Sequence, residues 1–277
     1  MGGMTPASLL AARRCGRLVR EGSARYLRLD IVGAEPLLRA ALAEAERSGR
    51  PRAIATAARS LYDFLRREGR EAESADALAQ TVDAHRRLGG VDGRWTAEWR
   101  DELIELYGRL GRAADLEALC RERLESELRR HGRQSAEAAW ALLTLAWALR
   151  VGRRWAESEP YCREALAILE GACGCQHPRT GWALTGLALV RAHAGDVPGA
   201  EAALCRARIN WAGVGHADRV AAIDELLLRL SPHRGDVPGH AHALAAAAAA
   251  RPARCANGAT SCSPARLTGP IFPSPLL

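Results

Sequence analysis

Two stretches of the chain share one pattern at a distance of 42 residues. Residues 140–166 read WALLTLAWALRVGRRWAESEPYCREAL, and residues 182–208 read WALTGLALVRAHAGDVPGAEAALCRAR. The identical pairs 42 positions apart include Trp140 and Trp182, Leu145 and Leu187, Ala146 and Ala188, Glu159 and Glu201, and Ala165 and Ala207. A fixed period of about 20–50 residues indicates a repeat architecture.

The same 42-residue step extends over most of the chain. It aligns a leucine in four units, namely Leu61, Leu103, Leu145 and Leu187. It also aligns two turn positions, the first at Gly69, Gly111, Arg153 and Gly195, and the second at Gly90, Gly132, Gly174 and His216. Cys120 and Cys162 share one position and are predicted to be small buried core residues.

Apolar residues recur within each unit at helical spacing, as at Leu142, Leu145, Ala146 and Leu149. Each unit is therefore predicted to be a helical hairpin, and the fold all-α: an α-solenoid. The predicted first helices span about 52–68, 94–110, 136–152 and 178–194, and the second helices about 71–88, 113–131, 155–173 and 197–213. A fifth, incomplete unit begins with a helix over 217–230.

Three segments are predicted along the chain. Residues 1–32 form an N-terminal segment of one or two helices, with Gly16 and Gly22 as weak points. Residues 33–250 form the repeat domain, whose last helix, over 240–250, is almost pure alanine. Residues 251–277 are rich in Pro, Gly, Ser and Cys and are predicted to be a disordered tail. An incomplete cap on a repeat stack would leave an edge for a homo-oligomer.

The net charge of +7 is concentrated at the two ends of the chain. Residues 1–30 contain six arginines and two acidic residues, residues 232–277 contain four and one, and residues 31–231 contain 29 of each. Because a nucleic-acid groove needs a basic face on the folded body, no nucleic-acid partner is expected for the repeats. The basic termini leave open a contact with nucleic acid or with an anionic surface.

Several function classes lack their sequence signatures. Motifs for phosphate loops, nucleophile elbows and zinc proteases are absent, so neither an enzyme nor a cofactor is predicted. No apolar run reaches about 18 residues, so no membrane span and no membrane partner are expected. The chain shows no secretory signal, and a cytoplasmic protein with reduced thiols is predicted despite its eight cysteines.

The repeat pattern resembles the kinesin-light-chain type of tetratricopeptide repeat over about residues 34–231. The residues that carry the resemblance are Leu145-Ala146, Trp155, Glu159-Pro160-Tyr161, Ala165-Leu166, Gly174 and His177-Pro178. The resemblance implies a right-handed superhelix of antiparallel helix pairs. It further implies a scaffold or adaptor that binds a partner protein or peptide in a concave groove lined by the first helices.

The resemblance also implies which side chains would line that groove. They are Glu98, Asp101, Glu105 and Arg109 in the second unit, Trp140, Leu143, Trp147 and Arg150 in the third, and Trp182, Thr185, Leu189 and His193 in the fourth. Peptide-holding members place an asparagine before the Leu-Ala pair, whereas this chain has Ser60, Glu102, Thr144 and Gly186. A ladder of asparagines that holds the backbone of a peptide is therefore missing.

Alternative interpretations remain at three sets of residues. The tryptophans line the groove as anchors or pack between units as core. Arg109 and Arg150 bind an acidic partner, or form salt bridges with the acidic residues of the same surface. Cys173, Cys175 and His177 provide three of the four ligands that zinc requires, but His177-Pro178 also fits the junction between units, and no metal site is predicted.

Overall fold

The computed structural model describes residues 5–230, and this part of the chain is all-α, as predicted. Its eleven helices are α1 (Pro6–Leu27), α2 (Ile31–Ser48), α3 (Pro51–Arg67), α4 (Glu71–Gly89), α5 (Arg94–Leu110), α6 (Ala113–His131), α7 (Ala136–Val151), α8 (Trp155–Ala172), α9 (Pro178–His193), α10 (Val197–Val214) and α11 (Ala217–Leu230). The bounds predicted for the eight helices from α3 to α10 agree with these to within one residue.

The described helices form two compact units. Unit 1 ends at Arg112 and contains α1 to α5, and unit 2 begins at Ala113 and contains α6 to α11. Within each unit every helix packs against the next helix along the chain. In addition, α1 contacts α3 in unit 1 and α7 contacts α9 in unit 2, so neighbouring first helices lie side by side. Consecutive helix pairs therefore share one core, as a repeat stack requires.

The predicted segment boundary after residue 32 falls inside α2, which begins at Ile31. The N-terminal segment forms one continuous helix, because α1 passes through Gly16 and Gly22 without a break. A Cβ added at Gly22 would lie 3.0 Å from the Leu38 side chain, so this glycine lets α1 and α2 approach closely. The predicted helix over 240–250 and the predicted tail over 251–277 lie outside the described residues.

The core of each unit is built from positions that recur with the repeat. The first-helix leucines are at most 4 % exposed: Leu61, Leu103, Leu145 and Leu187. The matching second-helix positions are at most 1 % exposed: Leu78, Cys120, Cys162 and Leu204. The prediction that Cys120 and Cys162 are buried core residues is confirmed. Burying one leucine side chain contributes about 1.5–3 kcal/mol, so the repeated leucines are a main source of stability.

The first turn of the repeat follows one geometry in several pairs. Gly69 and Gly195 have φ of 72° and 81°, and the N–H groups of each glycine and of its successor donate to carbonyls of the last helical turn. This is the Schellman motif, in which glycine normally supplies the left-handed residue. Arg153 occupies the same place with φ of 61°. Leu29, after α1, is the other residue of 5–230 with positive φ that is not glycine.

The second turn position was predicted one residue too late in the last repeat. Gly90, Gly132 and Gly174 have positive φ as expected, but the fourth such residue is Gly215 instead of His216. The reason is a shorter junction. Gly174 stands four residues before the start of α9 at Pro178, whereas Gly215 stands two residues before the start of α11 at Ala217.

Replacing Arg153 with glycine is expected to stabilise the protein. A left-handed conformation costs an L-residue about 1–2 kcal/mol, and glycine adopts it without that cost. Ordering a glycine on folding costs more backbone entropy than ordering an arginine. After this cost is subtracted, we expect the free energy of unfolding to rise by about 0.5–1 kcal/mol. Urea titrations followed by circular dichroism measure this change. The reciprocal variant Gly195→Ala should lose a similar amount, and equal stability of all three proteins would show that the turn carries no strain.

Candidate functional site

The predicted groove residues of α7 are buried in unit 2. Trp140, Leu143 and Trp147 are 5 %, 3 % and 7 % exposed. The guanidinium of Arg179 lies over the Trp140 ring, 5.7 Å from its centre. All residues from Ala138 to Leu149 are buried, so α7 is enclosed on every side rather than on one stripe. In this conformation these side chains are not accessible to a partner, and their role as groove residues stays a prediction.

Arg150, at the end of α7, is used inside unit 2. Its guanidinium donates to the hydroxyl of Ser158 at 3.5 Å and to the thiol of Cys162 at 3.7 Å. Burial lowers the pKa of Arg150, and the neighbouring Cys162 opposes that shift. Burial also raises the pKa of Cys162, so this thiol stays protonated and inert rather than nucleophilic.

The predicted residues of α9 differ in accessibility. Thr185 is buried, and its hydroxyl donates to the Gly181 carbonyl at 2.9 Å. Trp182 and Leu189 are half-buried, and the Arg219 guanidinium lies 4.5 Å from the centre of the Trp182 ring. His193 is exposed on one face and stacks on Trp155 with its other face, with ring centres 4.3 Å apart.

The predicted residues of α5 lie on the surface of unit 1. Glu98, Asp101 and Arg109 are exposed, and Glu105 is half-buried. Arg109 forms an ion pair with Glu71 at 3.5 Å. Glu71 begins α4 and is not one of the acidic residues predicted on the same surface, so this pairing does not decide between the two alternatives for Arg109. An ion pair with both side chains so exposed contributes little to stability.

The four positions that correspond to the family's asparagine ladder make contacts within the chain. The hydroxyls of Ser60 and Thr144 donate to carbonyls four residues earlier in their own helices. Glu102 accepts a hydrogen bond from the Tyr62 hydroxyl, and Gly186 packs close to Arg150. Their side chains therefore offer no uniform row of amides to a peptide.

The turn that contains Cys173, Cys175 and His177 has a structural role. The Nδ1 atom of His177 accepts a hydrogen bond from the Arg179 N–H at 3.1 Å and so caps α9. The Asn210 side chain of α10 donates to the carbonyls of Cys175 and His177. Within residues 5–230 no three His, Cys, Asp or Glu side chains are grouped as metal ligands. The interpretation as a junction between repeats accounts for His177.

The cap formed by His177 makes stability depend on pH. Burial, assisted by the nearby Arg179, lowers the pKa of His177 in the folded protein. The unfolded chain therefore binds a proton first, and stability is lost as pH falls from about 6.5 through the lower folded pKa. His177→Asn keeps a capping acceptor that does not titrate, and we expect a smaller loss between pH 7.5 and 5.5 in urea titrations.

A second variant separates the cap from the titration. His177→Ala removes the acceptor and should cost about 1 kcal/mol at neutral pH. Like His177→Asn, it should show the weaker pH dependence. If both variants lose as much stability as the wild type when the pH falls, other groups cause the loss. One such group is His85, whose pKa is also lowered by burial and by Arg59.

An open pocket of about 670 Å³ lies among α3, α4 and α5 in unit 1. We call it the α3–α5 pocket. Its polar and apolar side chains come from three helices, with Arg52, Thr56 and Arg59 on α3, His85 and Leu88 on α4, and Arg94 and Trp95 on α5. Its volume falls in the range of ligand pockets, about 300–1,000 Å³, so it accepts a few side chains rather than a folded domain.

Positive charge and exposed apolar surface meet in the α3–α5 pocket. Among the described residues, neither Arg52 nor Arg94 has an ion pair, while Arg59 is 3.9 Å from Asp63, the one acidic residue lining the pocket. The Arg94 guanidinium lies 5.6 Å from the Trp95 ring centre. Trp95 and Leu88 are 51 % and 50 % exposed. The pocket thus offers arginines for an anionic group and two large side chains for apolar contact.

The sequence prediction missed most of this pocket. Arg52, His85, Leu88, Arg94 and Trp95 did not belong to the predicted groove set. Arg52, Arg94 and Trp95 lie in the first turn of α3 or α5, and the other two residues lie on α4, a second helix. The predicted groove positions begin only at the fifth residue of α5, α7 and α9. The pair Arg94-Trp95 after Gly93 was the available signal, since a tryptophan at the first turn of a helix lies at the edge of the helix packing.

Comparison with known protein families supports the repeat assignment for residues 148–208. Residues 148–208, from the end of α7 into α10, match a family model described as tetratricopeptide repeat. The crystal structure of BtubC (BKLC) from P. vanneervenii aligns with a TM-score of 0.47 and 17 % identity, covering 84 % of this chain and 95 % of that chain. No curated protein sequence matches the chain.

The matched residues include 148–166 of the first stretch with the 42-residue pattern and all of the second stretch, 182–208. They span three complete turns between helices, α7 to α8, α8 to α9 and α9 to α10. Repeats of this type commonly mediate protein–protein interactions and are generally non-catalytic. Residues 148–208 are therefore similar to tetratricopeptide repeats.

Proposed function

We propose that this protein is a non-enzymatic scaffold that binds a segment of a partner protein in the α3–α5 pocket and along its first helices. The observation that carries the proposal is the α3–α5 pocket. Trp95 and Leu88 are exposed together in this pocket, and grouped exposed apolar side chains often mark interaction sites. Tryptophan and arginine are among the residues most enriched at binding hot spots. A cytoplasmic location is part of the same proposal.

The chemistry of the pocket indicates what the partner segment carries. Arginine pairs with carboxylates through two parallel hydrogen bonds, so Arg52 and Arg94 favour an acidic side chain. Trp95 and Leu88 favour an apolar side chain near that acid. The proposal also includes Trp182 and Leu189, two predicted groove residues of unit 2 that are half-buried. Trp140 and Trp147 would take part only after becoming exposed.

Trp95→Ala is expected to weaken partner capture at least tenfold while stability is retained. The full-length protein and its variant would be immobilised at equal density and exposed to extract of the source organism, and bound proteins would be quantified by mass spectrometry. Truncating a half-exposed tryptophan changes stability little, whereas loss of a hot-spot tryptophan costs 2 kcal/mol or more in binding, roughly a factor of 30. Leu228→Ala, at a side chain 72 % exposed outside the pocket, is the matched control.

Two results would count against this proposal. If Trp95→Ala and Leu228→Ala retain the same proteins as the wild type, the pocket does not bind the partner. If Trp182→Ala alone removes capture, the partner binds unit 2. The alternative function, contact of the basic termini with nucleic acid or an anionic surface, predicts binding that falls steeply with salt and does not depend on Trp95.

A further inference from the structure

Four large apolar side chains are exposed together at the turn between α1 and α2. Leu27, Leu29 and Val32 are 79 %, 85 % and 87 % exposed, and Ile31 is 40 % exposed. We call these four residues the apolar tip. Single exposed apolar residues are common, but four within six consecutive positions form a contiguous apolar surface. The α1–α2 turn therefore differs from the repeat turns at Gly69 and Gly195, where no large apolar side chain is exposed.

The backbone of this turn holds Leu29 outward. The N–H groups of Leu29 and Asp30 donate to the carbonyls of Tyr26 and Arg25, which is the Schellman pattern seen at the other turns. Leu29 occupies the place that glycine fills at those turns, with φ of 65°. A bulky residue with this φ is costly, and such strain is often retained where the side chain has a function.

A basic stripe on α1 leads to the apolar tip. Arg13, Arg17, Arg20 and Leu27 follow helical spacing and share one face, since seven residues return nearly to the same side of a helix. Arg20 and Leu27 are about 10 Å apart along the axis. The three arginines are exposed and form no ion pair with any residue between 5 and 230. Arg25, by contrast, pairs with Glu21 and Asp30.

An apolar tip beside unpaired arginines matches the surface of an anionic lipid bilayer. Apolar side chains enter the boundary between headgroups and acyl chains, and arginines attract anionic headgroups. A second copy of the chain would bring two basic stripes together, which is repulsive. Nucleic acid would satisfy the arginines but would leave the apolar tip in water. None of the helices between residues 5 and 230 has the length and the apolar character of a membrane span.

We infer that the α1–α2 turn docks the protein onto anionic phospholipid membranes, with the apolar tip inserted and the basic stripe against the headgroups. This contact is separate from the α3–α5 pocket, and one molecule can make both. The sequence prediction of no membrane partner rested on the lack of a long apolar run, and docking through the apolar tip does not need one. The protein would thereby present its partner-binding surface at a membrane.

Vesicle flotation of the full-length protein tests the inference. Vesicles of phosphatidylcholine alone are compared with vesicles of phosphatidylcholine and phosphatidylserine. We expect binding to the anionic vesicles at least tenfold stronger than to the neutral ones, and weaker binding when salt shortens the range of the attraction. Leu29→Asn/Val32→Ser should reduce binding at least tenfold. Because asparagine tolerates positive φ, this variant should be no less stable than the wild type.

Controls and competing occupants define the other outcomes. Arg13→Glu/Arg17→Glu/Arg20→Glu should also abolish flotation, whereas Leu228→Ser should leave it unchanged. Flotation that is absent, or that persists in the Leu29→Asn/Val32→Ser variant, would overturn the inference. So would a dimer in sedimentation that this variant converts to a monomer, because the tip would then bind a second copy. Tighter binding to a DNA duplex than to vesicles, unaffected by the tip variant, would assign the stripe to nucleic acid.

Discussion

Replacing Leu145 with alanine is expected to lower the free energy of unfolding by about 2–5 kcal/mol. Leu145 is 2 % exposed in α7, and its equivalents Leu61, Leu103 and Leu187 are equally buried. Truncation removes apolar burial and leaves a cavity that neighbouring helices fill only in part. Since a typical domain has a total stability of about 5–15 kcal/mol, one such change removes a large share of it.

Urea titrations followed by far-ultraviolet circular dichroism measure this effect. Leu228→Ala in α11 is the matched control, because the same atoms are removed from a side chain that is 72 % exposed. We expect the control to stay within about 0.5 kcal/mol of the wild type. A loss below about 1 kcal/mol for Leu145→Ala would contradict the assignment of the repeated leucine to the core.

Gly181→Ala is expected to destabilise the protein by about 1–3 kcal/mol, although alanine normally favours a helix. A Cβ at residue 181 of α9 would lie 2.6 Å and 2.9 Å from ring atoms of Trp211 in α10, and also against Asn210. These are rigid groups. Asn210 is held by hydrogen bonds to the carbonyls of Cys175 and His177, so it cannot move without releasing the turn before α9.

Gly171→Ala in α8 provides the contrast for Gly181→Ala. No atom lies within 4 Å of a Cβ built at Gly171, so only the helix propensity changes. We therefore expect this variant to gain up to about 0.5–1 kcal/mol. Thermal and urea unfolding of the two variants should shift in opposite directions. Equal shifts would mean that α9 and α10 do not approach as closely as Gly181 permits.

The helices were predictable because the sequence repeats its helix-ending signals. Gly69, Gly111 and Gly195 are separated by multiples of 42 residues, and each has the positive φ that ends a helix. Arg153 shows that the position in the repeat determines the turn even where the residue type does not favour it. The slip from His216 to Gly215 arose because a fixed period cannot detect a junction that is two residues shorter.

The surface features were less predictable, because exposure depends on which helices meet. Leu88 and Trp95 resemble core residues in a linear pattern, yet both are about half exposed at the α3–α5 pocket. The same holds for Leu29 and Val32, whose apolar character alone suggests burial. Conversely, α7 was predicted to have one buried stripe, and it is buried from Ala138 to Leu149. Periodicity identifies helices, whereas pockets arise from residues of several helices.

Site-specific photocrosslinking at Leu88 tests most directly whether the α3–α5 pocket binds a partner protein. Leu88 would be replaced by the photoreactive residue p-benzoylphenylalanine in the full-length protein, with the same replacement at Leu228, an exposed leucine outside the pocket, as the control. On irradiation in extract of the source organism, we predict a defined protein adduct at Leu88 that is absent at Leu228 and is lost when Trp95→Ala is added. Identical adducts at both positions, or an adduct unaffected by Trp95→Ala, would contradict the proposed function.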